Sequence, residues 1–148
     1  MGELLLTHNL AGGVVVVKDN KVLLIKDKNG WSLPKGSTEL GETFLSTAKR
    51  EGLEETGYHL IIEDVAFITE YTTKKFGQYL QVYYSGEIIS KIDTQDPDQD
   101  VIEIKFIPTD KIRDYLKFRP WIIPLENWLK DRNLKYYCFD LDKEGFEI

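Results

Sequence analysis

The segment Gly36-Ser37-Thr38-Glu39-Leu40-Gly41-Glu42-Thr43-Phe44-Leu45-Ser46-Thr47-Ala48-Lys49-Arg50-Glu51-Gly52-Leu53-Glu54-Glu55-Thr56-Gly57-Tyr58 decides how this chain is read. It contains no proline, and Phe44, Leu45, Ala48 and Gly52 or Leu53 recur at helical spacing, which predicts a helix ending at Thr56. Thr43 is suited to cap its start and Gly57 to follow its last turn. Five carboxylates crowd the segment, at Glu39, Glu42, Glu51, Glu54 and Glu55, with Lys49 and Arg50 among them. On a helix Glu51 neighbours both Glu54 and Glu55 on one face. Like charges so placed destabilise a bare helix by roughly 0.2–0.5 kcal/mol each, so something must neutralise them. An Arg50–Glu54 pair on a wet surface is one answer. A bound Mg²⁺, which takes a few carboxylates, waters and phosphate oxygens, is the other.

Upstream, Trp31-Ser32-Leu33-Pro34-Lys35-Gly36 reads as a strand end, a rigid turn and a flexible position where the main chain can approach a ligand. Before it, Ala11–Val17 and Lys21–Ile25 are β-branched and apolar, separated by Lys18-Asp19-Asn20, and read as a hairpin. Downstream, Tyr58–Thr72 and Phe76–Ile89 read as two longer strands. Asp93–Asp100 is an acidic connection, and Val101–Ile107 resumes strand pattern. Asp110–Leu116 and Trp121–Leu129 read as helical, with Pro124 expected to start, kink or split the second, and Leu134–Leu141 as a last strand. Strands on both sides of a central helix, then helices, predict an α+β fold with a mixed sheet sandwiched between α-helices.

The chain has 148 residues, 42% of them hydrophobic and 30% charged, which suits a single domain over 1–148. Nineteen Lys and Arg against twenty-five Asp and Glu give a net charge of −6, which excludes a general nucleic-acid coat. An acidic chain that binds polyphosphate must borrow positive charge, most simply from a metal. Cys138 is the lone cysteine, so no internal disulfide forms, and no Cys/His spacing suits zinc. Met1–Leu10 lacks a basic leader and the longest apolar run, Val14–Val17, is far short of a membrane span, so a soluble, cytoplasmic protein is expected.

The Gly36–Tyr58 segment resembles the Nudix box: Gly, five residues, Glu, seven residues, Arg-Glu, a bulky apolar residue, any residue, Glu-Glu, any residue, Gly, then an apolar residue. Gly36, Glu42, Arg50, Glu51, Glu54, Glu55 and Gly57 all match at the right spacing. One position departs, because Gly52 stands where the bulky apolar residue belongs. It falls on the stripe with Leu45 and Ala48 that should face the sheet, and a helical glycine costs about 1 kcal/mol relative to alanine.

The resemblance implies a Nudix fold and metal-dependent hydrolysis of a pyrophosphate link in a nucleotide compound. By position, Glu51, Glu54, Glu55 and the Gly36 carbonyl would hold Mg²⁺ or Mn²⁺. Arg50 would orient the acids through charge-assisted hydrogen bonds and Glu42 would brace the loop. Glu54 is the first choice for general base and Glu103 the second, with Asp98 and Asp100 behind them. Trp31-Ser32-Leu33-Pro34-Lys35-Gly36 is similar to the Trp-x-x-Pro-Lys-Gly run of diadenosine tetraphosphate hydrolases. Lys35, with Lys74 or Lys75, would meet outer phosphates, and Tyr71, Tyr79, Tyr83 or Tyr84 would stack on a base, with Tyr79 and Tyr83 preferred. The partner implied is thus a nucleoside polyphosphate, favouring dinucleoside polyphosphates, for a monomer or homodimer. The alternatives are hydrolysis of nucleoside triphosphates or RNA 5′ ends, or a nucleotide sensor without turnover.

Overall fold

The computed structural model describes residues 7–92 and 100–144. The predicted hairpin is present as β1 (His8–Lys18) and β2 (Lys21–Asp27), antiparallel with Val17 opposite Val22. Asp19 and Asn20 turn the chain at φ values of 53° and 59°, the left-handed pair that matches strand twist. Two short strands follow, β3 (Gly30–Ser32) and β4 (Lys35–Ser37), then α1 (Phe44–Thr56). After α1 come β5 (Tyr58–Thr73), β6 (Gly77–Lys91) and β7 (Glu103–Pro108). A 3₁₀ turn (Thr109–Lys111), α2 (Ile112–Tyr115), α3 (Arg119–Asp131) and β8 (Lys135–Asp140) complete the order.

Eight strands form one mixed sheet, in the order β3-β2-β1-β6-β5-β8, with β4 added beside β1 and β7 beside β2. The β1–β6 and β5–β8 pairs are parallel and the rest antiparallel. One face carries Val14, Val16 and Leu23 under Ala48 of α1. The other carries the larger core, in which Val15, Leu24, Phe67 and Ile107 meet Ile112, Leu116 and Leu125. The α+β sandwich expected from the sequence is the fold observed. No helix among the described residues is long and apolar enough to cross a membrane.

Both ends of α1 are closed as its sequence predicts. Thr43 and Ser46 bond each other's backbone N–H reciprocally, and Gly57, at φ 73°, returns its N–H to the Leu53 carbonyl at 2.8 Å. The buried stripe differs from the expected one. Leu45 is 39% exposed, and the residues facing the sheet are Thr47, Ala48, Gly52 and Thr56. Ala48, Gly52 and Thr56 recur every fourth residue, a ridge of small side chains that lets α1 settle close to β1. A Cβ on Gly12 would lie 2.7 Å from the Phe44 carbonyl oxygen. The space that a bulky residue 52 would occupy is filled from the sheet side, since a Cβ there would meet Leu60 Cδ1 at 3.0 Å and Val14 at 3.6 Å.

Pro124 neither starts nor splits its helix but lies inside α3, which begins earlier than expected, with Pro120 in its first turn. A proline at 124 cannot donate to the carbonyl of residue 120. The buried hydroxyl of Thr69 on β5 takes that bond instead, donating to the Pro120 oxygen at 2.8 Å. Thr69→Val keeps the shape and leaves this carbonyl unpaired. It is expected to destabilise the fold by about 1–3 kcal/mol, read as a lower urea midpoint with an unchanged m-value.

Candidate active site

The site is built where β4 lies between β1 and α1. Gly36 pairs with Gly12 and Lys35 with Gly13, which brings the Trp31–Gly36 run alongside the acidic helix. The Glu51 carboxylate lies against Gly36 so closely that any Cβ there would displace it, falling 2.0 Å from the carboxyl carbon. One step back, the Lys35 N–H donates to Glu55 Oε1 at 2.8 Å. Main chain and acids are therefore in direct contact.

Arg50 organises the acids. Its Nε and Nη2 donate to the two Glu42 oxygens at 2.8 and 2.9 Å, a two-pronged grip. Nη1 donates to Glu51 Oε1 at 2.7 Å and Glu54 Oε2 at 3.3 Å, and Nη2 also reaches the Ser37 carbonyl at 3.1 Å. Glu42 in addition accepts the Glu39 N–H at 2.9 Å and the Thr47 hydroxyl at 3.1 Å. The Arg50 guanidinium, and after it the Glu39 N–H, hold the Glu42 carboxyl at about 2 against an ordinary 4.5. In turn the Arg50 pKa is raised, chiefly by Glu42.

The donor set suits a hard divalent cation: carboxylate oxygens from one helix face, with the main chain of Gly36 pressed against Glu51. These acids do not form a preassembled cage. Among the described residues no three His, Cys, Asp or Glu side chains converge on one point. Glu51 and Glu54 turn to Arg50, and Glu55 turns to the Lys35 N–H. The Arg50–Glu54 pairing, one of two answers to helix repulsion, is thus present.

Lys35 has a second contact. Its ammonium lies over the Trp121 ring, 5.0 Å from the centroid, on the wall of a groove of about 430 Å³. Tyr79, Tyr71, Phe76, Phe118 and Asn29 also line it. A neighbouring cleft of about 380 Å³, with Trp31, Tyr115 and Lys117, shares Asn29, Phe118 and Trp121 with the first. Lys35 and Tyr79 are therefore gathered in one groove.

Tyr83 is not. It is fully buried, stacked on Phe67 at 5.0 Å with its hydroxyl on Gln81, and burial pushes its pKa well up. A ring enclosed in the core has no face for a base, which corrects the stacking role expected of it. Tyr84 is half-buried on the α1 side. Glu103 is exposed, opposite Lys26, and by strand alternation shares a face with Lys105 and Ile107, away from the face on which α1 lies. Asp100 is exposed, and Asp98 lies outside the described residues. Lys74 is tied to Asp142 through its N–H, while Lys75 sits over Phe76 at the groove's lip. Sequence reading missed Trp121 and Phe118, which join the site only when α3 folds back on the sheet. It also missed Gln81, whose signal was a polar residue between Tyr79 and Tyr83 on one strand face.

The depressed Glu42 pKa sets a pH dependence. Its contribution to stability is whole above about pH 4.5 and is lost as pH falls towards 2. Glu42→Gln is expected to lower the Tm at neutral pH, and the gap to wild type to close by about pH 2. Thermal melts at several pH values check this, and a constant gap would refute it.

Comparison with known proteins identifies the fold and the family. The NUDIX domain profile matches residues 7–129. A putative mutator protein MutT4 from Mycobacterium tuberculosis is 32% identical over 127 residues, covering 73% of this chain and 49% of that protein. The chain spans about half or less of the length of the curated relatives it matches. Among solved structures, a NUDIX hydrolase from Nitrosomonas europaea superposes with a TM-score of 0.78 at 23% identity, covering 86% of this chain and 93% of that one. An Ap4A hydrolase from C. elegans superposes at 0.66 and 18%, covering 82% and 96%. With the box residues gathered as described and the profile spanning most of the chain, this protein belongs to the NUDIX domain family.

Proposed function

We propose that the chain is a divalent-metal-dependent pyrophosphohydrolase of nucleoside polyphosphates, with dinucleoside polyphosphates such as diadenosine tetraphosphate favoured. The observation that carries this reading is the double engagement of Lys35. Its N–H binds an acid of α1 while its ammonium lies over Trp121, so the acidic cluster and the aromatic groove adjoin at one residue. A polyphosphate with a base at its end needs that adjacency. The second cleft, which shares Phe118 and Trp121 with the first, offers a further aromatic surface for a second nucleoside. Superposition on an Ap4A hydrolase is consistent with the same fold serving such a substrate.

Glu51, Glu54, Glu55 and the Gly36 carbonyl would hold Mg²⁺ or Mn²⁺. When bound, the ion supplies positive charge against the phosphates and makes water more acidic. The chain's own residues do the rest. Arg50 aims Glu51 and Glu54 through the hydrogen bonds from its Nη1. Glu54 takes the proton of the attacking water, whose oxygen bonds to phosphorus as the bridging P–O bond breaks and its electron pair leaves with the departing phosphate. Lys35 meets the outer phosphates as a point charge, and Tyr79 and Trp121 flank the base.

A panel of diadenosine tetraphosphate, nucleoside triphosphates, ADP-ribose and 5′-triphosphorylated RNA, with each metal, tests the assignment by its products. Diadenosine tetraphosphate is expected to have the highest kcat/KM; a preference for triphosphates or RNA ends would overturn that choice. Nucleotide binding without products would make the chain a sensor. Glu54→Gln is expected to lower kcat by about 10²-fold or more with the circular dichroism spectrum unchanged. Lys35→Ala retains the N–H bond to Glu55, so it should raise KM about tenfold with little change in kcat.

A further inference from the structure

Two residues that line the groove, Tyr71 and Trp121, bond one buried amide. Gln81 on β6 is 4% exposed and is not among the residues that line the groove. Its Oε1 accepts from the Tyr83 hydroxyl at 2.7 Å and from the Trp121 indole N–H at 2.9 Å. Its Nε2 donates to the Tyr71 hydroxyl at 3.2 Å. An indole nitrogen only donates, so the amide oxygen must face Trp121, and the amide can sit only this way round.

These bonds tie three elements together. Trp121 on α3 supports the Lys35 ammonium, and Phe118 meets it edge-on at 4.7 Å. Tyr71 on β5 stacks on Tyr79 at 4.9 Å with the planes 12° apart, and meets Phe118 edge-on at 4.9 Å. One amide therefore holds groove-lining rings from two different elements, β5 and α3. The amide also answers the buried Tyr83 hydroxyl, but that alone needs one acceptor, whereas the bonds to Trp121 and Tyr71 reach two residues that line the groove. A buried amide is tolerated only when every arm is paired, and pairing of that kind fixes direction as apolar contact does not.

We propose that Gln81 is a positioning residue for the nucleobase: by holding Trp121 and Tyr71 it sets the width and angle of the slot into which the base stacks. This rests on the hydrolase reading above and adds to it the element that shapes its base site.

Gln81→Met keeps the length and removes all three bonds. On the full chain, calorimetric Kd for ADP and KM for diadenosine tetraphosphate with Mg²⁺ should each rise about tenfold, with kcat within about twofold. Gln81→Glu keeps an acceptor for Tyr83 and Trp121, so its ADP affinity should stay nearer to wild type than that of Gln81→Met; equal losses in the two variants would overturn the proposal. A Gln81→Met chain with the near-ultraviolet circular dichroism of wild type and unchanged ADP affinity overturns the proposal. If that variant does not fold, Trp121→Phe decides, since it removes the N–H and keeps an aromatic wall: weaker ADP binding supports the proposal and unchanged binding overturns it. Wild-type protein that neither binds ADP nor hydrolyses any nucleotide would remove the hydrolase reading, and this proposal with it.

Discussion

A single guanidinium makes the acidic half of this molecule foldable. Glu42, Glu51 and Glu54 all accept from Arg50, and Glu39 stands 3.8 Å from it. Without that cation, the carboxylates of α1 would repel each other and the loop leading into the helix. Arg50 also bonds the Ser37 carbonyl on β4, which pairs with β1. Charge compensation is thereby converted into position, since the acids cannot drift from the sheet while the guanidinium spans both.

Lys35 extends that fixity to the groove. The β4 strand presents opposite ends of this residue to different chemistry, its main chain to an acid and its ammonium to an indole. The Gln81 amide completes the connection from within the core, because its partner Trp121 is the ring over which Lys35 lies. Acids, cation and aromatic rings form one contiguous assembly, linked by hydrogen bonds and by the Lys35 ammonium over Trp121, between residues widely separated along the chain.

That separation explains which parts of the molecule could be read from sequence. The boundaries of α1 follow from local chemistry at Thr43 and Gly57, and the hairpin from Asp19-Asn20, so both were legible. Strand alternation states that Tyr79, Gln81 and Tyr83 share a face but not how deeply each is covered; Tyr83 lies under Gly13, where a Cβ would come 2.6 Å from its ring. The same ambiguity left the face occupied by Glu103 open. Trp121 and Phe118 join the groove only through the return of α3, and no local spacing reports such a contact. The acids' present partners were half legible: the spacing of Arg50 and Glu54 announced their pairing, whereas the bond from Lys35 N–H to Glu55 depends on β4 pairing with β1.

The ridge of small residues on α1 carries a consequence for how this sequence can diverge. Gly52 and Leu60 approach one volume from opposite sides, so a larger residue at 52 displaces the Leu60 tip. A descendant that restored an isoleucine or leucine at position 52 would be viable chiefly alongside alanine or valine at position 60. The two sites should therefore vary together, exchange at position 52 being easiest where position 60 has already become smaller.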